Sequence, residues 1–302
     1  KTYAAVMGYL AVFVVMFLLL AAFSRIFNFN YFGYLTAAAY IFFPGVITYM
    51  WNRTLSPEIN FIPLALFLVI YFWPTTDSKF WKREAGLGIS AGLLFYVYPY
   101  YWTFALALLG VNDLLEFWNR KRIIWKLFYK YLIIAGIASW YAVHLWQIYQ
   151  LPYYQESMVR IGALHSRFPA GWYTQTVLLA SLALFFGLRK YVFPKINPVR
   201  DRTRAGAFEG VIGWAVSNGI NSEMPAGGVF DKIVAGLVTG LIVLNQQLIT
   251  GMQLEFNSHY TSIILFFLVA FWGSLFFLLV NNLSSYYRDI LIFASFLLVT
   301  GL

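Results

Sequence analysis

The chain has 302 residues, of which 61% are hydrophobic, 21% aromatic and only 11% charged, whereas a soluble chain needs roughly 25% charged residues to cover a water-facing surface. It therefore reads as an integral membrane protein, and as a helical one because its apolar runs approach membrane-spanning length without two-residue alternation. The formal charge of +9 belongs in such a chain to cytoplasmic loops rather than to a nucleic-acid surface, so the expected partner is the lipid bilayer and not nucleic acid. Three scattered histidines and no cysteine exclude a zinc signature and structural disulfides.

The first expected span is Tyr3–Phe23. The second, Phe32–Met50, carries a bend at Pro44-Gly45 that neighbouring membrane helices can accommodate. Trp51–Asn60 forms a loop with Arg53 and Glu58, and a short span Phe61–Trp73 stops at Pro74. A linker with Lys79, Lys82 and Arg83 follows. The block Ala85–Leu115 has Pro99 inside it and basic clusters at both ends, KFWKRE and NRKRIIWKLFYK. Both clusters share one face if the block is a hairpin of two short helices turning near Tyr98-Pro99-Tyr100. Next come span Tyr131–Gln147, an outer polar segment at 148–175, span Thr176–Leu188 and a cytoplasmic connection at 189–228, whose Ala205–Gly228 part reads as surface-lying or loop. Apolar runs Ile233–Leu244 and Thr261–Val280 then bracket the polar stretch Asn245–Tyr260, where Gly251 closes the preceding helix. The chain opens on Lys1 without Met and closes in the apolar run Ile290–Leu302. Residues 1–302 are accordingly expected to be one transmembrane domain, a piece of a longer protein, all-α, with about nine or ten membrane helices.

Sidedness follows from counting. Of 21 Lys and Arg residues, only Lys1, Arg53, Arg160 and Arg167 fall outside on this topology, the asymmetry that the positive-inside rule describes. Trp51–Asn60, Ile148–Gln175 and Asn245–Tyr260 then share the outer face, with His144, His165 and His259 at or near it. Tyr and Trp clusters at span ends suit an interfacial belt, or a surface that stacks sugars or lipid head groups.

The outer connections hold the candidate chemistry. Glu156 and Arg160 are four apart and can pair on a helix. Arg160, His165 and Arg167 supply cations, and guanidinium offers the bidentate fork that phosphate or pyrophosphate requires; loop stabilisation is the competing role. His259 can relay a proton or hydrogen-bond a lipid phosphate, with Glu255 four residues earlier to orient its imidazole, or it is an interfacial His with Tyr260 as anchor. Arg53 and Glu58 form a weaker pair of the same kind. Asp113, Glu116, Asp231 and Asp289 fall near span ends and the other acids in loops. None is expected at a bilayer midplane, which disfavours an ion-coupled transporter.

The pieces AAAYIFFPGVITYMWNRTLSPEINFIPLALFLVIYFW and KFWKREAGLGISAGLLFYVYPYYW resemble the membrane domain of the GT-C superfamily of glycosyltransferases: a span, an outer polar turn, a return span, a basic-aromatic inner turn and a Gly-rich helix. The NQQLITG…HY segment is similar to one in large bacterial membrane proteins of the same kind. The resemblance implies a GT-C-like bundle in a bacterial or archaeal cytoplasmic membrane, transferring a sugar from a polyprenyl-phosphate donor to an outer-face acceptor. It also implies an essential acidic residue in the first outer loop, which here falls upstream of Lys1, so no catalytic residue is assigned within the chain. Arg53 and Glu58 match the outer turn in position. Glu156, Arg160, His165, Arg167, Glu255, His259 and Tyr260 are carried by sidedness alone, as groups that bind the donor phosphate or the acceptor. No cofactor is assigned, and a divalent metal is left open. The alternatives are a non-catalytic lipid-binding or envelope-assembly protein, and then a transporter.

Overall fold

The computed structural model describes residues 2–27, 31–41, 56–73, 80–120, 128–154, 156, 164–165, 172–188, 227–250, 252–253 and 258–281. Apart from one two-residue ladder and short turns, these residues are helical. In chain order the helices are α1 (Thr2–Ile26), α2 (Tyr31–Ile41), α3 (Ser56–Tyr71), α4 (Phe80–Leu94), α5 (Pro99–Arg120), α6 (Phe128–Tyr149), α7 (Trp172–Gly187), α8 (Gly227–Leu244), α9 (Gln246–Thr250) and α10 (Ser258–Asn281).

Local chemistry sets the boundaries. α3 begins at Ser56, five residues before the expected span; Ser-Pro-Glu is a sequence of residue types that favour the first turn of a helix. Pro63 lies inside α3 and leaves the Ile59 carbonyl without its usual donor. The expected hairpin is present: α4 ends at Leu94, residues 95–98 turn, and Pro99 opens α5. Proline cannot continue the preceding helix but suits the first position of the next. α7 starts at Trp172 rather than Thr176, and part of the polar stretch 245–260 is itself helical, as α9. The distal part of the second expected span, the connection 189–226 and residues 282–302 lie outside the described residues.

The helices close a ring in which α1 packs on α3, α3 on α4, α4 on α5, α5 on α8, α8 on α10, α10 on α2 and α2 back on α1; α6 is attached outside on α4, and α7 on α8. Aromatic side chains fill the middle. Phe266 lies 4.6 Å from Phe23 and 6.1 Å from Phe72, and Phe267 lies 5.7 Å from Phe104. Small residues let backbones approach at the ring seams. A methyl group on Gly88 would sit 2.9 Å from the Lys130 carbonyl, and one on Gly92 would sit 2.9 Å from Ile137, so this pair, four residues apart, fixes the α4–α6 distance. Gly236 and Gly240 do the same for α8 against Phe267 and Ile264.

Among the described residues, one helix, α6, is both long and apolar enough to cross a membrane. It buries only Lys130 and Ile134 and exposes Leu132 at 71% and Trp146 at 66%.

Candidate functional site

Helix direction separates two polar ends of the bundle. α4 runs from Arg83 and Glu84 to the Tyr98-Pro99 turn, and α5 runs back to Asp113 and Arg120. Whatever contacts Glu84 or Asp113 is therefore at one end, and whatever contacts Tyr100 or Thr103 at the other.

The Tyr100 end is neutral and aromatic. Tyr260, near the start of α10, is fully buried; its ring meets Tyr100 edge-on at 5.0 Å, and its hydroxyl lies 2.8 Å from Thr103 Oγ1 and 3.5 Å from Gln246 Oε1. Gln175 Nε2 donates to Asn245 Oδ1 at 3.1 Å, and Asn245 Nδ2 donates to the Leu241 carbonyl at 2.8 Å, which satisfies an acceptor at the end of α8. Tyr40 donates to the Ser262 carbonyl at 2.8 Å, and Phe61 packs edge-on to Tyr101 at 6.0 Å. The two polar connections meet here as well. Leu164 and His165 form strand β1, which pairs antiparallel with β2 (Met252–Gln253), Leu164 opposite Gln253 and His165 opposite Met252. Amides, phenols and a threonine hydroxyl at this end are suited to hydrogen-bonding a polyol or an ester oxygen.

The Glu84 end carries charge. Lys130 Nζ bridges Glu84 Oε2 at 3.0 Å and Asp113 Oδ1 at 2.8 Å, with Lys130 2%, Glu84 1% and Asp113 16% exposed. Tyr131 donates to the other oxygen of Asp113 at 2.7 Å, and Arg83 Nη1 meets Glu84 Oε1 at 3.2 Å. Each carboxylate thus has a partner for both oxygens, the condition under which a buried charge persists. Tyr71 donates to Asn112 Oδ1 at 3.2 Å. The last turn of α3 and the residues just after it attract further cations: the Val69 carbonyl accepts from Arg25 at 3.4 Å, the Tyr71 carbonyl from Arg83 at 3.4 Å and the Trp73 carbonyl from Lys232 at 3.5 Å. Positive groups at a helix C-terminus offset its negative pole.

This network corrects one element of the sequence reading. Glu84 is not a linker residue but lies in α4, buried in phase with Leu87, Gly88 and Ala91, the i, i+3, i+4, i+7 spacing of a packed face. That periodicity, continued one turn toward the N-terminus, was the available signal. Lys130 and Ile134, four apart, are likewise the buried face of α6. Lys130, Arg83 and Lys232 had entered only as markers of orientation.

Of the candidate site residues, Arg53, Arg160, Arg167 and Glu255 lie outside the described residues, so the Glu156–Arg160 pair does as well. Glu58 is in the first turn of α3, His165 is in β1 and His259 is the second residue of α10, each described in its backbone only. Glu156 is exposed. The structure brings together the backbones of His165 and Met252 and places Tyr260 beside Thr103, with its hydroxyl held inside the bundle. Among the described residues no group of three or more His, Cys, Asp or Glu side chains is placed to hold a metal ion. No protein-family profile, curated protein or solved structure matches this chain.

Proposed function

We propose that the chain is a multi-pass membrane domain of a GT-C-like glycosyltransferase, with about nine or ten membrane helices, working in a bacterial or archaeal cytoplasmic membrane. The Tyr260 end faces outward. There a sugar passes from a polyprenyl-phosphate donor to an acceptor. The membrane part of this reading is supported by lengths and exposed apolar surface. α1 and α10, with 25 and 24 residues, reach about 36 Å at 1.5 Å per residue, more than the roughly 30 Å of a hydrocarbon core. Phe13 and Phe17 on α1, and Leu132 and Trp140 on α6, are each more than 60% exposed, which lipid tolerates and water does not.

The observation that carries the functional part is the β1–β2 pairing. It joins the connection after α6 to the connection after α9, about ninety positions later, at the end that also holds Tyr260, Asn245 and Gln175. Two loops read as outer and phosphate-binding therefore share one location. In an inverting displacement a carboxylate activates the acceptor and cations take up charge on the leaving phosphate. No residue of this chain is assigned to the first role; the second falls to Arg160 and Arg167. Arg160→Ala and Arg167→Ala in the full-length protein are expected to weaken binding of a polyprenyl-phosphate sugar; unchanged affinity removes the reading. Labelling single cysteines at Ser157 and Thr203, in this Cys-free chain, tests orientation: the first reacts from outside, the second only from inside.

A second reading, an ion- or proton-coupled transporter, gains from the Glu84–Lys130–Asp113 network, since buried ionisable groups in membrane helices are functional candidates by default. Uptake of an ion into proteoliposomes that is lost in Asp113→Asn would favour it over sugar transfer.

A further inference from the structure

We propose that the α4–α5 hairpin is re-entrant: its tip, residues 95–98, stops inside the outer leaflet, and acyl chains of outer-leaflet phospholipid fill the space above it beside the last two turns of α6. The inference rests on the membrane reading above but not on the sugar-transfer reading.

The depth of the tip follows from the register of two parallel helices. α4 and α6 climb together from the Glu84 end. Lys130 meets Glu84, a methyl group on Gly88 or Gly92 would touch Ile133 or Ile137, and Phe95 and Tyr96 meet the Tyr141 ring at 5.6 and 6.1 Å. α4 then ends at Leu94, whereas α6 continues to Tyr149. From Tyr141 to Tyr149 it rises about 12 Å above the level of the turn. Residues 142–151 are all exposed, Leu145, Trp146, Ile148, Tyr149 and Leu151 among them.

Two placements of a hydrocarbon core of about 30 Å compete. With its outer boundary at the turn, the apolar overhang of α6 stands in water. The core then also reaches about 10 Å past Lys130, which puts the Glu84–Lys130–Asp113 triad among acyl chains, where charge is most costly. With the boundary at the end of α6, both penalties disappear. Tyr129 to Tyr149 spans about 30 Å of helix, and exposed aromatic residues mark both ends of that span. Trp81 lies edge-on to Tyr129 at 5.1 Å at one end, and Trp146, Tyr149 and Tyr153 stand at the other. That is the spacing of two interfacial belts.

The turn itself is suited to a dry environment. Phe95, Tyr96, Val97 and Tyr98 donate their N–H groups to the carbonyls of Gly92, Leu93 and Leu94 at 3.1 to 3.3 Å. Pro99 has no N–H, so from Phe95 to Pro99 no backbone donor needs water. On the acceptor side, the Tyr98 carbonyl takes the N–H groups of Tyr101 and Trp102, and the Pro99 and Tyr100 carbonyls take the Thr103 hydroxyl. The Tyr96 hydroxyl donates to the Ile137 carbonyl at 2.6 Å. The tip sequence FYVYPYYW also lacks the Gly, Asn, Asp and Ser on which water-facing turns rely. Tyr96 and Pro99, both exposed, are the surface that the acyl chains meet.

The test uses full-length protein in phosphatidylcholine–phosphatidylglycerol vesicles, with a nitroxide on single cysteines replacing Tyr96, Leu93, Ser139 or Gln150, all exposed positions. Power saturation with oxygen, which partitions into lipid, and with a water-soluble nickel chelate then gives the depth of each label. Tyr96→Cys is expected to read about 12 Å deeper than Gln150→Cys, and Leu93→Cys about 5 Å deeper again, with oxygen the dominant relaxant at both. A Tyr96→Cys label as open to nickel as the Gln150→Cys label overturns the proposal, because the tip is then at the membrane surface. Shielding from both relaxants overturns the lipid as occupant, since protein then covers the tip. If Tyr96→Cys does not fold, Leu93→Cys still decides: a depth of only about 5 Å places the boundary at the turn. Nickel access at Ser139→Cys, in the middle of α6, removes the membrane reading separately, and none of these labels bears on sugar transfer.

Discussion

Replacing Lys130 by methionine should destabilise the bundle more than any surface change. The substitution keeps the length of the side chain and removes the one ammonium that bridges Glu84 at 3.0 Å and Asp113 at 2.8 Å. Breaking a buried pair from one side costs about 3–5 kcal/mol, because a desolvated charge is left behind. Here the lower end applies: Glu84 keeps Arg83 at 3.2 Å and Asp113 keeps the Tyr131 hydroxyl at 2.7 Å, so neither carboxylate is wholly abandoned. The expected loss is about 3 kcal/mol, read as the shift of equilibrium unfolding in mixed detergent and SDS micelles. Removing the stranded charges should then repair much of the damage. The triple variant Lys130→Met, Glu84→Gln, Asp113→Asn is expected to recover to within about 1–2 kcal/mol of wild type, since a neutral hydrogen-bonded set carries no desolvation penalty for ions. A Lys130→Met protein as stable as wild type, or a triple variant less stable than the single one, would show that the triad is solvated and the burial argument mistaken.

Gly88→Ala and Gly92→Ala should each cost about 1–3 kcal/mol, because the added methyl meets a carbonyl or a β-carbon at 2.9 Å, whereas Gly110→Ala and Gly136→Ala, with nothing within 4 Å, should gain up to about 1 kcal/mol from helix propensity; thermal unfolding of the four variants side by side decides the matter. Tyr260→Phe is expected to lose about 1 kcal/mol with its contact to Thr103, and a double-mutant cycle with Thr103→Val should recover a coupling of about 0.5 kcal/mol or more; a coupling of zero refutes the hydrogen bond. Cysteines at Leu164 and Gln253, directly opposite in the β1–β2 ladder, should crosslink on mild oxidation, while a pair at Leu164 and Lys130 should not.

Composition alone set the expectation about solvent: 11% charged and 61% hydrophobic residues are few ions for a surface that faces water on all sides, and this is a property of counts rather than of positions. The α4–α5 hairpin was legible too, because Pro99 cannot donate a backbone bond and the basic clusters KFWKRE and NRKR on both sides of the block favour one shared face under the positive-inside bias. Helix starts were less so. SPEIN looks like a polar loop, and it becomes the first turn of α3 since capping chemistry and loop chemistry use the same residues. Only the tertiary structure could decide which charges matter. Glu84, Asp113 and Lys130 are spread over 47 positions, and nothing local to any of them announces a partner. Their pairing depends on α6 settling against Gly88 and Gly92 closely enough for the Lys130 ammonium to reach both carboxylates. The same holds at the other end, where β1 finds β2 nearly ninety positions later: chain order says that both connections leave helices at that end, while backbone hydrogen bonds, made without regard to side chain, determine that Leu164 lies opposite Gln253.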